Sequence, residues 1–155
     1  LKVIRRHRLI ETFLERFLNY DWSEVHTEAE ELEHVVSDRF IERIDALMEH
    51  PEYDPHGDPI PDVRGQFTTR GVRPLSAYQV GETFEVARLA DDGAAFLQAM
   101  KSCGVLPGRS FVVIDRNRDT QIIRIESTED RKDTQTLSLS IAEKVLVLGR
   151  STPVD

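Results

Sequence analysis

Residues 51–62 read PEYDPHGDPIPD and carry four of the chain's seven prolines. Proline lacks an N–H and fixes φ, so this density cannot continue a helix, and the stretch reads as a structured loop or linker. The periodicity of apolar residues changes across it. Upstream, apolar side chains recur at helical spacing; downstream, they alternate. That switch makes the chain α+β, helices first and strands second.

Upstream, three helices are expected. Residues 2–19 place Val3, Ile4, Ile10, Leu14, Phe17 and Leu18 at helical spacing with no Gly or Pro between them. Asp21 followed by Glu24 has the form of a capping box and predicts a second helix running to about Val36. Ser37 caps a third, in which Phe40, Ile41, Ile44, Leu47 and Met48 form one stripe facing either the core or a partner subunit. The first helix carries no start signal and no methionine precedes Leu1, so a preceding segment is expected. Downstream, Thr83–Leu89, Ser110–Arg116, Gln121–Glu126, Thr136–Ser140 and Val145–Leu148 are short β-branched-rich runs bounded by turn residues. A short helix over Ala94–Lys101, closed at Gly104, separates the first two. Such a set of strands in so few residues predicts a small SH3-like barrel.

Composition narrows the class. The 155 residues have a net charge of −8, with 39% hydrophobic and 31% charged residues, as in a soluble globular protein. No stretch approaches the ~20 apolar residues that span a bilayer, and no signal-peptide pattern opens the chain. Cys103 is the single cysteine, which excludes internal disulfides and multi-cysteine zinc ribbons and points to a reducing, cytoplasmic setting. The acidity is uneven: residues 1–62 hold seven Lys+Arg against sixteen Asp+Glu, and residues 63–155 are near neutral. Such a balance argues against nucleic-acid binding by this chain alone.

Part of that acid is organised. At about 100° per residue, with His26 at zero, Glu30 falls at about 40°, Glu33 at about −20° and His34 at about 80°. These four side chains share one arc beside the apolar stripe of Val25, Ala29, Leu32 and Val36, while Glu24, Glu28 and Glu31 face the other way. In the first helix Glu11 lies one turn beyond His7, both among Val3, Ile4, Ile10, Leu14 and Leu18, with Arg5, Arg8, Thr12, Glu15 and Arg16 outside. Burying an unpaired carboxylate is costly, so something positive must meet Glu11. A divalent cation satisfies His7, Glu11, His26, Glu30, Glu33 and His34 together, and the six donors exceed what one ion needs. Imidazole and carboxylate suit Mn²⁺, Fe²⁺, Co²⁺, Ni²⁺ or Zn²⁺, and the lack of thiolate weakens Cu(I) and structural zinc. Arg5 or Arg6 pairing with Glu11 is the plainer alternative, as is a solvated acidic face. His50 and His56, flanking the proline loop, read as surface or turn residues.

Competing motifs are weak. Glu31-x-x-His34 has di-iron spacing, but only one such pair exists, and there is no HExxH, Walker A loop or G-x-S-x-G elbow. A histidine/carboxylate metalloenzyme, di-iron or hydrolytic, is the rival reading, and a metal-independent interaction module is a third.

The motifs RRHRLIE (residues 5–11), VHTEAEELEHVVSD (25–38) and PHGDPIP (55–61) together resemble the diphtheria toxin repressor family of iron- or manganese-dependent bacterial transcriptional regulators. The resemblance covers essentially the whole chain. It implies a metal-binding and dimerisation domain over 1–62, a linker over 63–72 and an SH3-like, FeoA-type domain over 73–150. It implies that His7, Glu11 and His26 match the ancillary metal site and that position 30, Glu33 and His34 match the primary one. Iron-sensing members have cysteine where this chain has Glu30; a carboxylate there is the manganese-regulator pattern, and the harder donor fits Mn²⁺. Asp92 aligns with a ligand lent by the SH3-like domain, whereas Ala95 stands where a second is expected. The resemblance further implies Mn²⁺ or Fe²⁺ as cofactor, a homodimer, no enzymatic activity, and operator DNA bound through an N-terminal winged helix-turn-helix absent from this sequence.

Overall fold

The computed structural model describes residues 2–91 and 93–150. These form two compact units, residues 2–69 with 93–98 and residues 70–91 with 99–150. The element classes follow the sequence reading: helices first, then an antiparallel sheet.

In the first unit, α1 spans Lys2–Phe17, α2 Val25–Leu32 and α3 Asp38–Leu47. Helix α1 closes with Asn19 in the left-handed region (φ 56°) and the Tyr20 N–H donating back to the Leu14 carbonyl at 3.1 Å. Ser37 caps α3 as expected, its hydroxyl accepting from the Phe40 N–H at 3.1 Å. Leu9, Ile10, Leu14, Val25, Ala29, Ile41, Ile44, Met48 and Ile60 make one core.

Three local expectations are corrected. Asp21 does not cap α2: its carbonyl accepts from the Glu24 N–H in a preceding turn, and Glu24 occupies the N-cap without a side-chain bond. The helix stops at Leu32 rather than Val36, leaving Glu33–Val36 in a turn. Its C-terminal half carries Glu30 and Glu31 and no basic residue, a charge order opposed to the helix dipole, and β-branched Val35 and Val36 follow. The inward arc of α1 is also shifted. Val3, Ile4 and Leu18 are exposed at the helix ends, while Thr12 is buried because its hydroxyl donates to the Arg8 carbonyl and needs no outside partner.

The second unit holds six strands in the order β1-β6-β2-β3-β4-β5, every neighbouring pair antiparallel. They are β1 Arg73–Pro74, β2 Thr83–Leu89, β3 Ser110–Asn117, β4 Ile122–Ser127, β5 Thr134–Ser138 and β6 Val145–Arg150. The two-residue β1 is an addition to the sequence reading, and the run expected to end at Ser140 stops at Ser138. The Ser138 hydroxyl there accepts from the Ile141 N–H and caps the one-turn α5, Leu139–Ala142. Helix α4, Ala94–Cys103, ends at Gly104, whose φ of +73° supplies the left-handed cap. Phe84 and Phe111, partners across β2 and β3, stack 5.9 Å apart and are fully buried. Bulges between Val86 and Arg88 and between Val113 and Asp115 bend the sheet in the manner of small barrels. Among the described residues no helix is long and apolar enough to cross a membrane.

Truncating Phe111 to Ala is expected to cost about 3–5 kcal/mol in urea denaturation, whereas the exposed Val80→Ala stays within about 0.5 kcal/mol. A loss near zero at Phe111 contradicts this core.

Candidate metal centre

Glu11 lies on the inward face of α1 and is almost fully buried. Its ion-pair partners within the unit are two histidines. Oε1 lies 2.8 Å from His7 Nε2, one helical turn back, and Oε2 lies 3.5 Å from His56 Nδ1. Arg5 and Arg6 do not reach it; they pair with Asp45 and Asp38 of α3. Oε2 is left without a hydrogen-bond partner. A buried carboxylate in that state is costly unless a cation completes it.

His7 is the hub. Its Nε2 also lies 3.0 Å from His26 Nδ1, and its Nδ1 lies 2.8 Å from Glu33 Oε2. His26 comes from α2 and Glu33 from that helix's C-cap, so this network ties α1 to α2. His26 Nε2 stands 3.4 Å from Glu30 Oε1, and His34 Nε2 stands 3.4 Å from Glu33 Oε1. Glu30 and His34 are exposed at the rim, because the helix ends before the turn that carries His34. His7, Glu11, His26 and Glu33 are therefore brought together; Glu30 and His34 reach the group only through His26 and Glu33. Asp92 lies outside the described residues.

The proline loop adds what the sequence reading missed. Asp54 Oδ1 accepts from the N–H groups of His56 and Asp58, both at 2.9 Å, and Gly57 takes φ +86°, so the loop winds around one buried carboxylate. This turns His56 inward, correcting its expected surface position. Its Nε2–H donates to the Trp22 carbonyl at 2.8 Å and its ring packs 5.2 Å from the Trp22 indole. That bond fixes the tautomer and leaves Nδ1 facing Glu11. Two sets of donors each lie within 4.8 Å of one another, His7/Glu11/His26 and Glu11/Asp54/His56, and they share Glu11. Asp54 Oδ2 is a second buried orphan. The available signal was Asp54-x-His56-Gly57 inside a proline-rigid segment, which a freely solvated loop does not need.

A cleft of about 250 Å³ opens onto these groups, lined by His7, Glu11, His26, Glu30, Glu33 and His56 among others. A larger one, about 660 Å³, lies along Arg5, Asp45, His50 and Phe67, but the Asp45 carboxylate there is engaged by both Arg5 and His50. The smaller cleft holds the convergent donors. Its nitrogen and oxygen donors, among them the buried Glu11 carboxylate with an unsatisfied oxygen, fit a borderline or hard divalent cation.

The electrostatics agree. Burial alone lowers the His7 pKa, but hydrogen bonds and charge from Glu11 and then Glu33 together outweigh it and raise the group from 6.5 to about 9. Burial, followed by the charges of Asp58 and Glu11, pushes Asp54 well above the ordinary carboxylate range. The metal-free site thus retains protons where a cation would otherwise sit. Because the folded pKa of His7 is raised, its contribution to stability is complete below pH 6.5 and is lost as pH rises through about 9. NMR titration of the metal-free chain is expected to place the His7 midpoint near 9, with stability declining over that window and flattened in His7→Gln. A midpoint near 6.5 refutes the network.

Comparison with known proteins matches this architecture. The family model described as iron-dependent repressor, metal-binding and dimerisation domain, covers residues 1–62, and that of the FeoA domain covers residues 73–148. The iron-dependent repressor IdeR of Mycobacterium tuberculosis is 39% identical over 61 residues, which are 39% of this chain and 26% of that protein's length. Among solved structures, a manganese-dependent transcriptional repressor is 40% identical with a TM-score of 0.90, over 96% of this chain and 79% of that one. A manganese-dependent transcriptional repressor in complex with manganese gives the same identity and TM-score over 96% of this chain and 70% of that one. With both halves of the chain matched, and a relative of such identity aligned along nearly its whole length, the chain belongs to the diphtheria toxin repressor family of metal-dependent transcriptional regulators.

Proposed function

We propose that this chain is the metal-sensing and dimerising core of a Mn²⁺- or Fe²⁺-dependent, DNA-binding transcriptional repressor that acts in the cytoplasm and governs metal uptake. The observation that carries the reading is Glu11, a buried carboxylate whose two oxygens face different imidazoles and whose Oε2 has no hydrogen-bond partner. His7, Glu11, His26 and Glu33 would hold the cation, with Glu30 and His34 as further donors at the rim, and Asp54 and His56 would offer a second set of donors that shares Glu11. Asp92 is a further ligand in this reading. Glu30, an oxygen donor where iron-sensing relatives carry sulfur, favours Mn²⁺.

A bound divalent ion supplies the positive charge that the His7 proton supplies in its absence. The residues do the rest. His7 and Glu11 on α1 and His26 and Glu33 at α2 converge on one point, so occupancy locks the two helices in one arrangement, and whichever arrangement binds metal better is populated by linkage. Sensing, not turnover, is the role assigned, and the chain is not an enzyme in this reading.

Dimerisation rests on a separate feature. The α3 stripe splits: Ile41, Ile44 and Met48 are buried, while Phe40 and Leu47 are exposed, as are Phe17 and Leu18 at the end of α1. Phe13 stacks on Phe17 at 5.7 Å and meets Phe40 edge-on at 6.1 Å, giving a continuous apolar surface suited to a two-fold partner. Two subunits then set the spacing of operator-reading domains that lie outside these 155 residues.

Mn²⁺ titrated calorimetrically into the chain is expected to bind. At a free concentration of about 100 times Kd it is expected to stabilise the fold by about 2.7 kcal/mol. Glu11→Gln/Glu33→Gln is expected to abolish both effects; unchanged binding overturns the assignment. Phe40→Asp/Leu47→Asp is expected to sediment as a monomer while still binding Mn²⁺, and a persistent dimer overturns the interface.

A further inference from the structure

Helix α2 ends in an acidic turn with no cation of its own. Its Ala29 and Leu32 carbonyls accept from N–H groups of the turn that follows, and the Glu33 and Val36 carbonyls of that turn take their donors from α1. The Arg6 guanidinium, largely buried, donates from Nε and Nη2 to the Glu33 carbonyl at 3.3 and 3.1 Å and from Nη2 to the Val36 carbonyl. Its Nη1 donates to Asp38 Oδ1 at 2.7 Å, in the first turn of α3. Two consecutive residues of α1 therefore hold Glu33 at once: Arg6 by its main chain and His7 by its carboxylate. The grips differ in kind. The His7 grip uses a group that must turn to a cation, whereas the Arg6 grip uses neither a ligand atom nor a titrating group.

We propose that Arg6 is the positioning residue of this site: it fixes the Glu33–Val36 turn so that Glu33 and His34 stay aimed at the cation, and through Asp38 it conveys the state of that turn to α3. The inference rests on the function proposed above. Geometry selects Arg over Lys here, because a planar fork serves two carbonyls and a carboxylate simultaneously and a single ammonium does not. Partners of this outer kind are typically worth about 10–100-fold in metal affinity. Arg5, equally buried and paired with Asp45 of α3 at 3.0 Å, touches none of the α2 turn and is the natural control.

The test is Mn²⁺ calorimetry on the full chain together with amide hydrogen exchange over residues 37–41, with thermal midpoints of the metal-free proteins recorded in parallel. Arg6→Met is expected to weaken Mn²⁺ binding at least about tenfold and to abolish the Mn²⁺-induced protection at the start of α3. Arg6→Lys is expected to restore part of both. Arg5→Met is expected to lower the thermal midpoint and leave Mn²⁺ affinity unchanged. Should Arg6→Met not fold, Asp38→Asn carries the test: it removes the charge that pairs Asp38 with Arg6 and Lys2, leaves the Arg6 bonds to the Glu33 and Val36 carbonyls, and is expected to keep the affinity while losing the protection. Wild-type affinity in Arg6→Met, an equal loss in Arg5→Met, or undiminished protection in Asp38→Asn each overturns the proposal. Failure of the wild-type chain to bind Mn²⁺ overturns the proposed function instead.

Discussion

A carboxylate has been buried at Glu11 without a lysine or arginine to neutralise it. The helical unit is arranged around that constraint. The desolvation cost of such a group is several kcal/mol unless positive charge meets it at hydrogen-bond distance. Histidine is what the fold brings: His7 from the same helix and His56 from the proline loop, with His26 of the next helix bonded to His7. Imidazole answers the need conditionally. It is positive when protonated and becomes a neutral ligand when a metal supplies the charge, so the same four groups are satisfied in two chemically distinct ways. A guanidinium in place of His7 would satisfy Glu11 permanently and leave nothing to sense.

The arginines are accordingly kept elsewhere. Arg5 goes to Asp45 and Arg6 to Asp38 and the end of α2, while Arg8 donates to the Pro59 carbonyl at 2.5 Å, holding the proline loop against α1. These three arginines thus fasten elements that surround the site and leave the Glu11 carboxylate to histidine. The strong negative balance of residues 1–62 acquires a meaning from this division. Most of it faces solvent as ordinary surface charge. The remainder, in Glu11, Glu33 and Asp54, is held inward where local charge and not net charge decides the chemistry.

The regular elements were legible in the sequence because their signals are local. Ser37 announces α3 by a side-chain bond to a residue three positions on, and Thr83–Leu89 is a β-branched run between turn residues with the strand bounds that the fold shows. The pairing of His7 with Glu11 needed only helical periodicity. What was not legible depends on tertiary contacts. The turn that follows α2 is held by an arginine of another helix taking the Glu33 and Val36 carbonyls, and no window around residue 33 contains that arginine. His56 is inward because Asp54 organises the loop and Trp22, far away in sequence, offers its carbonyl. Thr12 is inward because a threonine on a helix can satisfy its own hydroxyl one turn back, so that hydropathy misplaces it.

These misplacements share a direction. The sequence reading put two polar residues near the site, Thr12 and His56, at the surface, and the fold drew both inside together with Asp54, on which that reading was silent. Each is admitted because one of its polar atoms is satisfied by backbone: Thr12 by the Arg8 carbonyl, Asp54 by the loop amides and His56 by the Trp22 carbonyl. For Asp54 and His56, the backbone bond also leaves the opposite atom facing Glu11 and consequently available to a ligand. A side chain fully satisfied by other side chains would have to break those bonds before binding anything. One satisfied on its far side by the main chain is oriented at no cost to its free end, which is the form of preorganisation that a selective cation site requires.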